Sequence, residues 1–221
     1  MESMENCNNI FIDIEKDINS KKIQFRIKRI FDIVLSIIGI IILLPIFLII
    51  TIAIKLDSKG PALFKQKRVG KDGRIFTIYK FRTMVINAEA KRDLNIDPKN
   101  IENFIFQSKE DSRVTKVGSF LRSSSLDEIP QLFNVLNGTM SLVGPRPEIP
   151  EVVKYYPEKY KQRLLVLPGI TGLAQVNGRG EIELGKTIYY DLNYIKNFSL
   201  ILDLKIIFKT IFSVVKRRGA F

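Results

Sequence analysis

Two adjacent acids, Asp127 and Glu128, stand in the stretch Arg122-Ser-Ser-Ser-Leu-Asp-Glu-Ile-Pro-Gln131, directly before apolar residues at helical spacing. Ile129, Leu132, Phe133 and Leu136 fall at i, i+3, i+4 and i+7, and Asn137-Gly138 ends the run. Ser125 followed three residues on by Glu128 reads as a capping box, whereas Pro130 is tolerated only in a first turn and favours Asp127 as the cap. Either register puts both acids at a helix N-terminus, where backbone N–H groups and the helix dipole favour ionised carboxylates and bound phosphate. By itself the stretch reads first as a well-capped core helix. An active-site reading needs support from the rest of the chain.

Composition narrows the chemistry that such a site could run. The 221 residues carry 35 Lys and Arg against 23 Asp and Glu, a formal charge of +12, which points to an anionic partner: nucleic acid, an acidic membrane surface or a phosphorylated substrate. Cys7 is the only cysteine, so no disulfide framework or thiolate cluster is available. The chain has no histidine, which removes Ser-His-Asp and Cys-His nucleophile pairs and the usual zinc ligands together. Carboxylates, lysines and arginines must carry any catalysis, and any metal is a hard ion on oxygen, Mg²⁺ first where phosphate is present.

The cations that would serve a phosphate are spread along the chain. Ala62 to Val69 and Arg74 to Arg82 flank Gly70-Lys-Asp-Gly73, a hairpin signal, and alternation on the second strand puts Lys80 and Arg82 on one face with Ile78. They read either as partners of anionic headgroups or as phosphate ligands, the lysine a point charge and the arginine a planar fork. Arg146 lies between Pro145 and Pro147, so its backbone is fixed before any ligand arrives. Arg179 follows the turn Asn177-Gly178 and can reach a nearby site. The glycine-rich segment before it has neither GxGxxG nor a Walker pattern, which argues against a dinucleotide fold and a P-loop.

The elements that must position these residues include a membrane segment. From Ile33 to Ile54 no residue is charged, 22 positions in all, about one bilayer crossing. Lys21, Lys22, Arg26, Lys28 and Arg29 precede it, and Lys55, Lys59, Lys65, Lys67 and Arg68 follow it. Basic flanks prefer the cytoplasmic side, and one straight span cannot keep both there. A hairpin broken at Pro45 can; a kinked span is the alternative. Met84 to Arg92 reads as helical, and Asp93 to Glu110 as a polar loop with a turn at Asp97-Pro98. Ile182 to Lys216 reads as helical with a break near Asn197 to Ser199. Its last part has an apolar face of Leu204, Ile207, Phe208, Ile211, Val214 and Val215 that suits either a membrane interface or a core.

Several motifs, taken together, resemble the bacterial sugar transferases known as monotopic phosphoglycosyl transferases, over roughly Lys28 to Arg217. They are Lys28-Arg-Ile-Phe-Asp32, Phe64-Lys-Gln-Lys-Arg-Val-Gly70, Tyr79-Lys-Phe-Arg-Thr-Met84, Leu126-Asp-Glu-Ile-Pro-Gln-Leu132, Val143-Gly-Pro-Arg-Pro147 and Pro168-Gly-Ile-Thr-Gly-Leu-Ala-Gln-Val-Asn-Gly-Arg179. The resemblance implies an α+β, mainly helical fold: a re-entrant membrane helix-break-helix, a small β-hairpin or sheet, and amphipathic interfacial helices. The divisions expected are a tail over 1–24, the re-entrant helix over 25–56 and a cytoplasmic catalytic domain over 57–221. The break departs from the Ser-Pro of well-known members, Leu44 preceding Pro45 here, so no serine hydroxyl is there to satisfy a freed carbonyl. The chain also resembles the minimal form of the family.

The activity implied is transfer of a sugar-1-phosphate from a UDP-sugar to polyprenyl (undecaprenyl) phosphate with release of UMP. That is a first membrane step in making capsule, exopolysaccharide, O-antigen or glycoprotein glycan. Asp127 would be the nucleophile and Glu128 its Mg²⁺-supporting neighbour, with Lys80, Arg82, Arg122, Arg146 and Arg179 on the substrate phosphates. The site implied faces the cytoplasmic leaflet of the bacterial inner membrane. An alternative class is a non-enzymatic membrane scaffold binding acidic lipids, which uses the same basic patches but has no need of paired acids. Nucleic acid fits poorly, because no binding signature accompanies the charge. The sugar, and association into a homo-oligomer, are left open by the sequence.

Overall fold

The charge-free stretch forms the middle of one long helix. In the computed structural model, which describes residues 14–88, 96–105, 111–178 and 182–215, α1 (Ile14–Ser20) turns at Lys21 into α2 (Lys22–Asp57). The 36 residues of α2 reach a mean hydropathy of 3.3 over their most apolar window, long and apolar enough to cross a membrane. Pro45 lies inside it, and helix is present on both sides of the proline. A narrow stripe of α2 is buried, Lys28, Asp32 and Ser36 toward one end and Ile50 and Ile54 toward the other. Ile41, Ile42, Leu48 and Ile49 are exposed. The polar end of the stripe is fixed by specific bonds: Asp32 accepts from the Leu142 N–H at 3.1 Å, and Lys28 pairs with Asp203 at 2.5 Å.

The hairpin forms as the sequence indicates. β1 (Leu63–Val69) pairs antiparallel with β2 (Ile75–Phe81), Phe64 opposite Lys80 and Val69 opposite Ile75, around a 3₁₀ turn at Lys71–Gly73. The second sheet is a short parallel pair, β3 (Ser141–Val143) with β4 (Gly169–Thr171). It is drawn in tightly, since a Cβ on Gly169 would lie 2.1 Å from the Gly144 nitrogen. Around these run α3 (Lys116–Ser123), α4 (Gln131–Leu136), α5 (Pro150–Val153), α6 (Glu158–Lys161), α7 (Leu173–Gly178), α8 (Leu184–Lys196) and α9 (Leu200–Val215). The main core gathers on α8, where Leu184, Ile188, Leu192 and Ile195 meet Ile14, Val143, Val152 and Tyr160. The helix break expected near Asn197 separates α8 from α9. On α9, Ile201, Leu204, Phe208, Ile211 and Phe212 are exposed while Ile206 and Asp203 face inward.

Four expectations change. Met84 to Ala88 is not helix: Met84 bridges to Val114 and a turn follows, while residues 89–92 lie outside the described residues. The end of the supposed tail, Ile14–Ser20, is a helix whose Ile14 is buried in the main core. On α4 the buried residues are Gln131, Asn134 and Val135, and the Leu132 and Phe133 side turns instead toward Gly39 and Phe47 of α2. Asn134 explains the rotation. Its amide accepts from the Tyr79 N–H at 3.0 Å and donates to the Thr77 carbonyl at 2.7 Å, standing in for a third strand beside β2.

The fourth change is Arg82. β2 ends at Phe81, and Arg82 is buried at the other side, donating to the carbonyls of Ser58 and Lys59 at 2.7 Å each and to Ser58 Oγ at 2.9 Å. It thus closes the C-terminus of α2, where free carbonyls and the negative end of the helix dipole favour a cation. Arg82→Met should cost about 2–4 kcal/mol, because several carbonyls lose a charged donor at once. Thermal unfolding in detergent checks it: a midpoint equal to that of the parent would show that Arg82 does not hold the helix end.

Candidate active site

The two acids do not cap a helix. Ser125 takes a left-handed conformation (φ 56°), an unfavourable one for a residue with a Cβ. Leu126–Glu128 then form a single 3₁₀ turn, and α4 starts only at Gln131. No side-chain capping bond is made at either start, so neither the capping box nor the Asp127 cap is present. The turn serves a different end: it brings Glu128 onto cations of other elements and leaves Asp127 beside it.

Lys80 Nζ and Arg146 NH2 reach the same oxygen, Glu128 Oε1, at 2.7 and 2.8 Å. Lys80 comes from the end of β2 and Arg146 from the loop after β3. Arg122, on the last turn of α3, donates from Nε to Thr83 Oγ1 at 3.0 Å and is coupled electrostatically to Asp127. The approach of α3 is set by Gly118, whose Cβ would lie 2.0 Å from the Thr83 carbonyl oxygen, and by Thr115, which caps the helix through the Gly118 N–H. Of the residues the sequence nominates, Lys80, Arg122, Asp127, Glu128 and Arg146 converge, and Arg82 does not. Arg179 lies outside the described residues.

The acids sit in opposite electrostatic states. Burial alone would raise Glu128, but Arg146 and Lys80 outweigh it and hold its carboxyl far below the usual range. Asp127 makes no ion pair or side-chain hydrogen bond among the described residues. Burial, with Glu128 adding to it, pushes its pKa up to about 6 against the pull of Lys80, Arg146 and Arg122. Near neutrality it is still mainly ionised, though not for the dipole reason the sequence suggests. Burial also lowers Lys80 and Arg122, while Glu128 raises Arg146. Three cations against two carboxylates leave this cluster one positive charge in surplus, an arrangement that accepts a phosphate-rich ligand.

A second set of residues, not nominated by the sequence, holds the Pro145-Arg146-Pro147 turn. The Pro145 carbonyl accepts from the Gly169 N–H at 2.9 Å, that of Arg146 from Arg163 NH2 at 2.8 Å and that of Pro147 from Arg68 NH1 at 3.0 Å. Arg163 is itself buried against Asp191 (2.6 Å), which comes from α8, and donates to Tyr156 Oη at 3.1 Å. Arg68 lies within a motif noted in the sequence. For Arg163 no local pattern marks it.

Mg²⁺ fits the donor set in one limited sense. No group of three or more acidic, histidine or cysteine side chains is gathered among the described residues, so a protein-only cage is not built. Asp127 and the second oxygen of Glu128 nevertheless provide carboxylate oxygens beside cations, and Mg²⁺ is commonly held by one or two carboxylates with substrate phosphates completing its shell.

Fold and site together define a class: a helix able to cross a membrane joined to an anion-handling site of paired acids among cations. The chain belongs to the bacterial sugar transferase family, whose sequence model matches residues 23–217. It is similar to the UDP-glucose:undecaprenyl-phosphate glucose-1-phosphate transferase of Klebsiella pneumoniae, 46% identical over 202 residues, 88% of this chain and 41% of the relative. It is 41% identical over 216 residues to the undecaprenyl-phosphate galactose phosphotransferase of Salmonella typhimurium, 96% of this chain and 45% of the relative. The chain thus spans less than half the length of these two relatives. The exopolysaccharide production protein ExoY of Sinorhizobium fredii is 38% identical and is matched over 88% of both chains.

The raised Asp127 makes a stability prediction with a definite sign. Between 3.8 and about 6 the folded protein holds a proton there that the unfolded chain has lost, so stability falls as pH rises through that window. Asp127→Asn removes the buried charge. Its melting midpoint should exceed that of the parent by a few degrees at pH 8, and the gap should close below about pH 4. An equal gap at both pH values would place the cause elsewhere.

Proposed function

We propose that this chain transfers a sugar-1-phosphate from a UDP-sugar to polyprenyl phosphate through a covalent aspartyl intermediate. The observation that carries this reading is the division of labour between the acids. Glu128 is consumed in holding Lys80 and Arg146, whereas Asp127 has no such partner and carries a more basic carboxylate. A carboxylate that is ionised yet raised toward neutrality is a stronger nucleophile than one at its ordinary value.

In the first step Asp127 attacks the sugar-bearing phosphorus of the diphosphate. An O–P bond forms from its carboxylate as the bond to the bridging oxygen breaks, and UMP leaves with that oxygen. In the second step an oxygen of polyprenyl phosphate attacks the same phosphorus, the aspartyl bond breaks, and the polyprenyl diphosphate sugar is released. Lys80 and Arg146, fixed by Glu128, offset charge on the phosphate oxygens during both displacements, and Arg122 does so from the Asp127 side. Mg²⁺, held by Asp127 or Glu128 with the substrate's phosphates, would supply Lewis-acid neutralisation of the diphosphate. The names of the relatives support undecaprenyl phosphate as the acceptor and polysaccharide synthesis as the setting. The sugar is one the enzyme itself must report.

Incubating the protein with a UDP-sugar panel and Mg²⁺ but no lipid should release UMP in an amount stoichiometric with enzyme and leave a phosphosugar adduct on Asp127. With lipid added, turnover of Asp127→Asn should fall at least about a thousandfold. If turnover with lipid proceeds while no adduct or burst of UMP precedes it, the covalent route is wrong.

We also infer that α2 is re-entrant, entering and leaving the cytoplasmic leaflet of the inner membrane. Support comes from both of its ends being bonded to the part of the chain that follows it. Arg29 donates to the carbonyls of Leu136 and Met140, while Phe47 packs on Phe133 and Phe81. Lys28 pairs with Asp203 near one end of α2, and Arg82 donates to the Ser58 and Lys59 carbonyls at the other, about 45 Å away along a straight helix. A bend at Pro45, between those two ends, would let both stay on one side of the membrane. In a background lacking Cys7, Gln24→Cys and Pro61→Cys should both react with a membrane-impermeant maleimide only from the cytoplasmic side. Labelling from opposite sides would mean a simple crossing.

A further inference from the structure

A cavity of about 420 Å³ opens beside the first turns of α2, bounded by α2, the hairpin tip and the segment leading into β4. It shares no residue with the Asp127 cluster. Lys71 at the hairpin tip lines it, and β2 carries Lys80 five residues beyond Ile75, so about 17 Å of strand separates the two sites.

The lining combines hydrocarbon with unneutralised charge. Phe25, Val143, Leu165, Val166 and Leu167 form apolar wall, and Phe25 is stacked on Phe198 at 4.2 Å between ring centres. Five cations also line the space, Lys22, Arg26, Lys28, Arg29 and Lys71. Two are already engaged: Lys28 with Asp203 and Asp32, and Arg29 with the Leu136 and Met140 carbonyls. The other three make no ion pair or side-chain hydrogen bond among the described residues. The lining contains one carboxylate, that of Asp32, and it is taken by Lys28 and the Leu142 N–H.

We propose that this cavity binds the headgroup of an anionic phospholipid of the surrounding leaflet, at a site distinct from the transfer site. Three cations without a partner among the described residues select a phosphate. The apolar wall gives nothing to a free inorganic ion but suits the glycerol and first methylenes of a lipid. The adjoining face of α2, with Ile23, Ile27 and Ile30 exposed, offers the acyl chains a continuous apolar path. The volume lies in the range of small-ligand pockets, enough for a headgroup and too little for a whole lipid. Lys71 separates this site from the generic attraction of a basic helix flank, because it arrives from the hairpin, far along the chain from Lys22 and Arg26.

The inference rests on membrane contact by α2 and not on the transfer chemistry, so its test reads binding. Full-length protein in a neutral detergent is titrated with dioctanoyl phosphatidylglycerol and bound lipid is counted by native mass spectrometry. Parallel arms use dioctanoyl phosphatidylcholine, farnesyl phosphate and inorganic phosphate. Saturable binding of phosphatidylglycerol is expected, at least tenfold weaker for Arg26→Glu combined with Lys71→Glu and unchanged for Lys116→Glu, an exposed residue away from the cavity. Lys71→Glu alone should weaken it measurably, and since that side chain is exposed its loss does not threaten folding. Equal binding by parent and double variant, equal binding of the zwitterionic lipid, or a site filled only by farnesyl phosphate or inorganic phosphate would overturn the proposal.

Discussion

One carboxylate oxygen, Glu128 Oε1, receives both Lys80 and Arg146, and the arrangement of the site depends on that shared contact. Lys80 belongs to β2, Glu128 to the turn before α4, and Arg146 to the loop after β3, so three separate parts of the chain are brought to one atom. Burying charge is costly, and the cost is met here only while all partners are present. Removing Glu128 would leave two cations facing each other. Removing either cation would relax the hold on Glu128 and raise the carboxyl toward its neighbour's state. The separation between the two adjacent acids is therefore a property of the triad, not of either residue. Asp127 differs from Glu128 mainly in lacking these contacts.

That triad requires the Arg146 loop to be still, and two prolines alone do not accomplish it. A proline fixes its own φ but leaves the surrounding carbonyls to find donors. Here three consecutive carbonyls are taken by Gly169, Arg163 and Arg68, from three different segments. Arg163 in turn is held by Asp191 of α8, the helix at the centre of the main core. Burial raises Asp191 to about 6 despite that partner, so the pair is expensive to keep in the interior. The pair fixes the loop that carries the Glu128-bound Arg146, and a hydrophobic replacement of similar volume would pack without supplying a donor to the Arg146 carbonyl.

How far the sequence disclosed this site depends on whether each feature is local. The hairpin, the stop at Asn137-Gly138 and the break at Asn197 are written in neighbouring residues, and the structure places them there. Five of the nominated cluster residues converge because their motifs do. Arg82 departs from the expected face for a definable reason: strand alternation predicts a common face with Lys80 only as long as the strand continues, and β2 stops at Phe81. The capping pattern at Ser125 is consistent with a helix start, but the chain turns left-handed there between Leu121 and Leu126, both of which pack in one cluster with Ile50 and Ile54 of α2. Asn134 and Arg163 carry no sequence period at all, since their partners, backbone atoms of β2 and the Arg146 loop and the Asp191 and Tyr156 side chains, are delivered only by the tertiary fold.

Lys80, Phe81 and Arg82 finally show how the site is tied to the long apolar helix α2. These three consecutive residues go three ways: Lys80 to Glu128, Phe81 into a cluster with Ile50, Ile54 and Leu121, and Arg82 onto the Ser58 and Lys59 carbonyls just past the end of α2. The end of β2 is thus clamped to the end of α2 by a hydrophobic contact and a charged cap acting together. On the opposite side, Asp32 of the same helix holds the Leu142 N–H in β3, four residues before Arg146. Both cations that grip Glu128 are therefore positioned relative to α2, one from each of its halves. Whatever depth that helix takes, the site takes with it. On the proposed reading, a phosphate carried on a lipid tail is presented at a nearly constant depth, and an active site fixed to the helix at two points would meet it without having to search along the membrane normal.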